Sequence, residues 1–287
     1  MLHQSHMTTA TDPTVRTMLD TSVNDRIAAN TVTVSIVETE MFDPIDAARR
    51  FRNILSRDEL DTYRQHVHWR GRHLYLVSHA MLRIALSKDT GVAPAEWEFC
   101  RSHLGKPRIA APIVSPRDFS LSHTRGLAVC AVSNAGPLGI DVESHTSAAR
   151  LASVASRVFS REEQLHLARA PTRERGPESV GLWTQKEALL KAIGTGLHTP
   201  MVNVSVPLNG STAGGQKLTQ RRGDPSLRWR FVRLRIDSQF ECALAVSHSP
   251  LGPAPIHVVR MMPPDFAPQP VTLSRLSIDD WQVSSAQ

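Results

Sequence analysis

Residues 182–196, with the sequence "LWTQKEALLKAIGTG", combine helical spacing with side chains that can do chemistry. Trp183, Glu187 and Lys191 are four residues apart, so they form one stripe on a helix of 3.6 residues per turn. A carboxylate one turn before an amine on such a stripe suits a metal ion beside an oxyanion. The alternative is an ordinary Glu–Lys surface pair, which stabilises a helix by a few tenths of a kcal/mol.

Apolar residues of the same segment favour a packed helix over a solvated one. Leu189, Leu190 and Ile193 lie beside the stripe. Lys186 flanks the stripe, and we expect it to act at its edge. The glycines that follow are predicted to end the helix and to allow close approach of the backbone.

The segment "GIDVE" supplies a second set of acidic groups. In a strand, residues i and i+2 point the same way, so Asp141 and Glu143 share one face. Two adjacent carboxylates repel each other unless a cation or a proton lies between them. An all-oxygen pair favours Mg²⁺ or Mn²⁺ over zinc. The other interpretation is a polar strand end that faces water, and the pair alone is weak evidence for a metal.

Two further segments place polar groups where a ligand can meet them. In "DFSLSHTRGLAV", Ser122 and His123 lie where two predicted strands join, although Ser-His occurs six times in the chain. In "HLGKPRI", Lys106 and Pro107 form a rigid Gly-Pro turn, predicted to be exposed and suited to phosphate contact. The chain has no G-x-S-x-G elbow of a serine hydrolase, no P-loop, and no Cys-x-x-Cys or His-Glu-x-x-His zinc pattern.

The elements around these segments predict an α+β fold. Capping boxes at Ser56/Glu59 and Ser160/Glu163 predict two helix starts, and apolar periodicity predicts a helix over residues 69–86. Strands are predicted at residues 31–37, 119–122, 127–133, 138–143, 203–206, 228–236 and 240–247.

This alternation of helices and strands predicts two sub-domains that meet near residue 139. We expect a disordered N-terminal tail at 1–30, an N-terminal α+β half at 31–139 and a C-terminal half with the acidic motifs at 140–249. Residues 250–287 are predicted to form a proline-rich extension, because seven prolines lie between positions 250 and 270. We expect that extension to be extended or loosely docked.

Composition narrows the classes of function. The chain has 287 residues, of which 41% are hydrophobic, and a formal charge of +6. No apolar run is long enough for a membrane span, no secretory signal is evident, and three distant cysteines predict buried, reduced thiols in the cytoplasm. The basic excess suits a phosphorylated small molecule, an acidic protein or a nucleic acid, or solubility alone. Few aromatics and no long basic run argue against nucleic acid.

Taken in order, the four motifs resemble the 4′-phosphopantetheinyl transferase superfamily. "GKP", "FSLSH", "GIDVE" and "WTQKEALLKAIGTGL" are similar to those of its longer, surfactin-synthetase-activating type, and the resemblance covers roughly residues 32–250. It implies two similar halves in a pseudo-twofold arrangement. It also implies transfer of the phosphopantetheine arm of coenzyme A to a serine of an apo acyl or peptidyl carrier protein, with release of adenosine 3′,5′-bisphosphate.

The resemblance also implies roles for individual residues. The metal ligands, for Mg²⁺ or Mn²⁺, would be Asp141, Glu143 and Glu187. Glu187 would help to deprotonate the serine, and Lys191 would neutralise or protonate the leaving phosphate. Residues that would contact coenzyme A are Arg72, Lys106, Pro107, Ser122, His123, Lys186 and Lys191.

Two positions depart from the family pattern. Ser120 stands where many relatives have asparagine, and His79 stands where arginine is common. Arg72 therefore remains the phosphate-binding candidate of its helix, whereas Arg83 is equally compatible with a structural role.

The fusion of two halves that the resemblance implies predicts a monomer, and the composition predicts a cytoplasmic protein that binds neither nucleic acid nor membrane. The alternative is a catalytically inactive carrier- or nucleotide-binding homologue, which the intact set of three carboxylates disfavours.

Overall fold

The computed structural model of this chain describes residues 15–17, 30–112, 117–208, 228–247, 252–271 and 275–282. The predicted tail at 1–30 lies outside the described residues, apart from 15–17 and 30. Parts of the predicted extension at 250–287 also lie outside them.

The predicted helix signals are confirmed. Capping boxes at Ser56/Glu59 and Ser160/Glu163 begin the helices Arg57–Gln65 and Arg161–Arg169. In each, the serine hydroxyl accepts a hydrogen bond from the glutamate amide, and the glutamate carboxylate accepts one from the serine amide. The last long helix ends at Gly194, whose φ of +82° is left-handed. The helices are α1 (Pro44–Phe51), α2 (Arg57–Gln65), α3 (Trp69–Ser87), α4 (Ala148–Ser153), α5 (Ala155–Val158), α6 (Arg161–Arg169) and α7 (Thr172–Ile193).

The strands form two main sheets and a hairpin. They are β1 (Val15–Thr17), β2 (Val32–Glu38), β3 (Glu98–Arg101), β4 (Pro107–Ala111), β5 (Asp118–Thr124), β6 (Leu127–Ser133), β7 (Leu138–Ser144), β8 (Arg228–Ile236), β9 (Phe240–Ser247), β10 (Ile256–Met262), β11 (Ala267–Gln269) and β12 (Arg275–Gln282). The first sheet has the order β1-β10-β2-β6-β5, with β11 beside β10, and the second has the order β12-β8-β9-β7. Strands β3 and β4 pair with each other.

Apolar faces arrange the sheets and helices in layers. Side chains of β2 and β6 pack against those of β7, β8 and β9 in one buried cluster, so the two sheets lie face to face. The outer face of the first sheet packs on α1 and α3, and the outer face of the second packs on α7. Each half thus places one long helix on its own sheet, which confirms the α+β prediction with two similar halves.

The edges of the two sheets are joined by side chains. Asp118, Ser120 and Ser122 alternate along β5, the edge strand of the first sheet. Their oxygens accept the amide hydrogens of residues 138, 140 and 142 on β7, at 2.9, 3.1 and 3.4 Å. Because strand residues i and i+2 share a face, this spacing directs all three acceptors toward β7. The contact brings the "FSLSH" and "GIDVE" motifs side by side.

Three local predictions are wrong. Residues 204–206 form no strand and follow a short 3₁₀ helix instead. The proline-rich region is extended at β10, as one alternative had it, but it is not loosely docked there, since β10 lies beside β2 with Ile256 and Val258 buried. Its prolines flank the segment "IHVVRMM" and leave it free to pair. Cys130 and Cys242 are buried as expected, but Cys100 is exposed.

Candidate active site

Three elements meet at the carboxylate of Asp141. Asp141 Oδ1 accepts hydrogen bonds from Ser122 Oγ on β5 and from Lys191 Nζ on α7, both at 2.7 Å. Lys191 Nζ also donates to the carbonyl of Ile140 at 3.1 Å. The sequence predicted these residues from separate motifs, and the structure brings them together.

Within residues 182–192 of α7, the stripe Trp183, Glu187 and Lys191 is the part that reaches solvent. These three residues are half-buried, while residues 184–186 and 188–190 are buried. The helix is therefore packed, as its apolar residues predicted. Arg150 lies 5.3 Å from the centre of the Trp183 ring, which gives a cation–π contact at one end of the stripe.

Glu187 lies in a negative environment. Its pKa is raised, first by burial and then by the negative charges of Asp141 and Glu143, although Lys191 opposes this effect. Glu143 Oε2 accepts a hydrogen bond from Ser147 Oγ at 2.9 Å. The negative charges of Asp141 and Glu143 thus act on Glu187 at this site.

The donor set has the chemistry of a magnesium site. Asp141 Oδ2 is buried without a hydrogen-bond partner, so one ligand oxygen is unused. All three acidic groups offer oxygen, which Mg²⁺ prefers. Within the described ranges, however, no group of three or more His, Cys, Asp or Glu side chains is close enough to hold a metal ion as placed. Asp141, Glu143 and Glu187 fit the ion by donor type and charge, while Lys191 occupies one Asp141 oxygen.

Lys191 also lines a cavity of about 850 Å³. The cavity lies between the C-terminal end of α7 and the helices, hairpin and edge strand of the N-terminal half. Its polar and aromatic wall includes Tyr75, His79, Lys106 and Ser120. Pockets of this size hold drug-sized or nucleotide-sized ligands. Lys191 therefore connects a ligand-sized cavity to the acidic cluster.

His123 follows Ser122 at the end of β5 and is exposed. Its pKa is lowered, first by desolvation and then by the positive charges of His79 and Lys191. A group surrounded by these charges is suited to an anionic ligand. The expectation that His123 contacts a phosphate stays a prediction, and its position beside the site is compatible with it.

Lys106 is not the exposed phosphate contact that its turn predicted. Its ammonium donates to Asp118 Oδ2 at 2.5 Å and to the carbonyls of Leu138 and Ala192, each at 3.1 Å. Only 10% of its side chain is exposed. The adjacent Pro107 is exposed on the cavity wall. Pro107 and the backbone are therefore the parts of this turn that are free to meet a ligand, and a contact of the turn with coenzyme A stays a prediction.

The prediction that Lys186 binds coenzyme A is wrong for this structure. Lys186 is fully buried on the side of α7 away from the stripe. Its ammonium donates to the carbonyls of Val158 and Met201, at 2.8 and 2.9 Å, and pairs with Glu163 at 2.5 Å. Three donors meet three acceptors, so no donor remains for a ligand.

On α3 the structure favours His79 over Arg72 as a cavity residue. Arg72 is half-buried in the first turn and does not line the cavity, whereas His79 does. His79 stacks on Tyr75 with ring centres 3.9 Å apart, and its Nδ1 lies 3.0 Å from Glu59. Arg83 is buried, pairs with Glu59 and donates to two backbone carbonyls, which confirms its structural alternative.

Sequence reasoning missed Tyr75 and Asp118. Tyr75 lies four residues before His79 on α3, so helical spacing from the noted histidine would have found it. Asp118 continues the alternation of Ser120 and Ser122 in "DFSLS", and period-two polar residues on one strand give the signal.

Known proteins are similar in sequence to this chain. A family model of the 4′-phosphopantetheinyl transferase superfamily matches residues 137–245, which include β7, α7, β8 and most of β9. A 4′-phosphopantetheinyl transferase of Bacillus subtilis is 30% identical over 167 residues, covering 58% of this chain and 72% of the relative.

Two further relatives are also 4′-phosphopantetheinyl transferases. The 4′-phosphopantetheinyl transferase Sfp of Bacillus subtilis is 29% identical over 56% of this chain and 69% of its own length. The 4′-phosphopantetheinyl transferase HetI of a Nostoc species is 33% identical over 50% of this chain and 61% of its own length. With its two α+β halves and its β5–β7–α7 site, this chain belongs to the 4′-phosphopantetheinyl transferase superfamily.

Proposed function

We propose that this protein transfers the 4′-phosphopantetheine arm of coenzyme A to a serine of an apo acyl or peptidyl carrier protein. The serine oxygen forms the new bond to the phosphorus that carries pantetheine, and adenosine 3′,5′-bisphosphate leaves. The observation that carries the proposal is the position of Lys191. Its ammonium bonds Asp141 in the acidic cluster, and the residue also lines the adjacent cavity.

A divalent cation fits this reaction. Asp141, Glu143 and Glu187 would hold Mg²⁺, which supplies charge neutralisation to a bound pyrophosphate. The negative charges that raise the pKa of Glu187 also favour a cation. The unpartnered oxygen of Asp141 is a ready ligand atom.

In this proposal the protein's own residues position the two substrates and neutralise the charges of the phosphates. Lys191 is placed to stabilise the charge that grows on the departing bisphosphate, and Glu187 to accept the proton of the serine. His123 and Ser122 lie together at the end of β5, where His123 binds the 3′-phosphate. Phosphoryl-type transfer depends mainly on positioning and electrostatics, which these groups supply.

The basic chain suits an acidic partner. The net charge of +6 favours encounter with an acidic carrier protein through complementary potentials. Two halves fused in one chain build the site without a second subunit, and we propose a monomer in the cytoplasm. No described helix is both long and apolar enough to span a membrane.

One experiment tests the reaction. The protein is incubated with coenzyme A, Mg²⁺ and a panel of apo-carriers, and each carrier is weighed by mass spectrometry. We expect one carrier at least to gain a single phosphopantetheine, and its serine→alanine variant to gain none. Excess chelator should abolish the gain, and Mg²⁺ or Mn²⁺ should restore it.

The same assay decides the alternative of an inactive homologue. Such a protein would bind coenzyme A or a carrier without any mass gain across the panel. Its expected feature is a broken carboxylate set, whereas Asp141, Glu143 and Glu187 are all present. Full activity in excess chelator would remove the role proposed for the three carboxylates.

A further inference from the structure

The β3–β4 turn places one ammonium group between the three elements that carry the site. Lys106 Nζ donates to Asp118 on β5, to the carbonyl of Leu138 on β7 and to the carbonyl of Ala192 on α7. We call these four residues the Lys106 junction. Because an ammonium has three N–H donors, the junction uses all of them.

The junction repeats the connections made at Asp141. There, Ser122, Asp141 and Lys191 join β5, β7 and α7. The junction joins the same three elements a few residues away, since Asp118 precedes Ser122 on β5 and Ala192 follows Lys191 on α7. Both contacts therefore fix the same relative placement of strands and helix.

Packing at the junction leaves the side chains of Lys106 and Asp118 little room to move. Asp118 Oδ2 accepts the Leu138 amide at 2.9 Å in addition to the Lys106 ammonium. A Cβ added to Gly194, the left-handed end of α7, would lie 3.3 Å from Lys106 Cβ. The aliphatic part of Lys106 thus lies against the end of α7 while its charge is paired.

The turn that carries Lys106 also forms part of the cavity. Leu104, Gly105, Lys106 and Pro107 all line it. One short turn therefore contacts the ligand cavity on one side and holds the ends of β5, β7 and α7 on the other.

We propose that Lys106 and Asp118 are positioning residues, which set the distance between Lys191 on α7 and Asp141 on β7. They act through the backbone of β7 and α7 rather than by contact with coenzyme A. This inference rests on the proposed transfer reaction. It predicts that loss of the junction lowers turnover more than it lowers affinity for coenzyme A.

The Lys106→Met variant tests this directly, because methionine keeps the apolar stem and loses the donors. We expect kcat to fall by about 10- to 100-fold, as for small misplacements of reacting groups. The Kd of coenzyme A should change less than about threefold. Lys88→Met removes an exposed lysine and is the control for net charge. Lys186→Met removes another buried lysine with three partners and is the control for stability, measured at equal folded fraction.

The Asp118→Asn variant keeps the size of the side chain and tests the second half of the junction. We expect a smaller fall in kcat than for Lys106→Met. In the double variant, Asp118→Asn should add little to the loss already caused by Lys106→Met, because both act through one contact. Independent, multiplicative losses would overturn the junction as a unit.

Hydrogen exchange gives a readout that needs no activity. The amides of Gly194 and Thr195 bond the carbonyl of Leu190 at the end of α7. These amides should exchange faster in Lys106→Met than in the wild type, and at the wild-type rate in Lys88→Met.

The possible outcomes separate this inference from the proposed function. A rise in the coenzyme A Kd that matches or exceeds the fall in kcat would make Lys106 a ligand contact and overturn the inference. Unchanged kcat with unchanged exchange would also overturn it. If the wild-type protein transferred nothing, the proposed function would fail, and the exchange measurement would still decide whether the junction holds α7.

Discussion

Lys191 is the residue in which the cavity and the acidic cluster meet, and its ammonium is shared between Asp141 and a backbone carbonyl. Charge on the leaving bisphosphate grows only as the bond breaks, so a cation directed at it acts on kcat. We expect Lys191→Ala to lower kcat by about 10²–10³-fold with a smaller effect on coenzyme A affinity. Steady-state kinetics and direct binding measure the two effects.

Lys191→Arg is the companion variant. It should restore little activity, because guanidinium is wider than ammonium and does not release its proton. A rise in KM alone for Lys191→Ala, with kcat intact, would make Lys191 a docking residue and contradict the proposed role.

His123 gives a second prediction at this scale. At a pH below the pKa of His123, His123→Ala should weaken the binding of coenzyme A by about 1.5–3 kcal/mol, the value of a charge-assisted hydrogen bond, and should affect the binding of 3′-dephospho-coenzyme A less. The pKa of His123 is lowered from its ordinary value of 6.5, by desolvation and then by nearby positive charge. The imidazolium of His123 therefore forms only as the pH falls through this lowered pKa.

It follows that coenzyme A affinity should rise as the pH falls through the pKa of His123, and that His123→Ala should flatten this rise. Calorimetry with both ligands between pH 5 and 8 measures it, and His68→Ala, at an exposed histidine, is the control. Equal losses for the two ligands would place His123 away from the 3′-phosphate.

Close packing of α7 on β7 makes Gly139 a position where an added side chain has no room. A Cβ at Gly139 would lie 2.1 Å from the Ala188 carbonyl oxygen and 2.5 Å from the Ala192 amide nitrogen. Gly139→Ala must therefore push α7 outward, at a cost of about 1–3 kcal/mol in unfolding free energy. Because α7 carries Lys191, kcat should fall as well. Urea unfolding and the transfer assay measure the two effects.

Gly71→Ala is the matched control within a helix. Its Cβ would meet His66 Nδ1 at 3.4 Å, an ordinary contact, and alanine favours helix over glycine by up to about 1 kcal/mol. We expect this variant to be as stable as the wild type or more so. An unchanged Gly139→Ala protein would show that α7 can move without cost.

The elements themselves were largely predictable, whereas the direction of several side chains was not. Strands β6, β8 and β9 match their predicted bounds, because β-branched and apolar runs between turns determine them locally. Strand β10 was not predicted for two reasons. Prolines flank its segment, and its partner strand β2 lies over 200 residues away in the chain. Long-range pairing leaves no local signal.

The candidate site was predictable where spacing alone directs side chains. The stripe on α7 and the i, i+2 pair on β7 follow from helix and strand periodicity. The errors at Lys106 and Lys186 have another cause. Each lysine is held by carbonyls and a carboxylate from distant segments, and only the tertiary structure shows these acceptors.

Across the whole molecule, buried ion pairs connect α7 to the second sheet. Arg233 on β8 lies 3.1 Å from Glu178 on α7, and both side chains are buried. His166 of α6 lies 3.1 Å from the same glutamate. Burial alone would raise the pKa of Glu178, but Arg233 and His166 outweigh it and the pKa is lowered.

A lowered carboxyl pKa in the folded state makes the unfolding free energy depend on pH. The ionised form of Glu178 is favoured in the folded state, so its contribution is complete above the unfolded glutamate pKa of about 4.3. As the pH falls through the lower folded pKa, the carboxylate is protonated and the contribution is lost. The folded protein should therefore lose stability below about pH 4.

Glu178→Gln tests this link between α7 and the sheet. At pH 7 we expect a loss of about 3 kcal/mol in unfolding free energy, because Arg233 keeps its charge in a buried place and its ion pair with Glu241 is longer, at 3.6 Å. The loss should shrink as the pH falls toward 3, since the wild-type carboxylate is then neutral too. Urea unfolding at pH 7, 5, 4 and 3 measures it, with Glu162→Gln, at an exposed glutamate, as control. A loss of equal size at every pH would mean that Glu178 stabilises α7 by shape and hydrogen bonding, and that its charge contributes nothing.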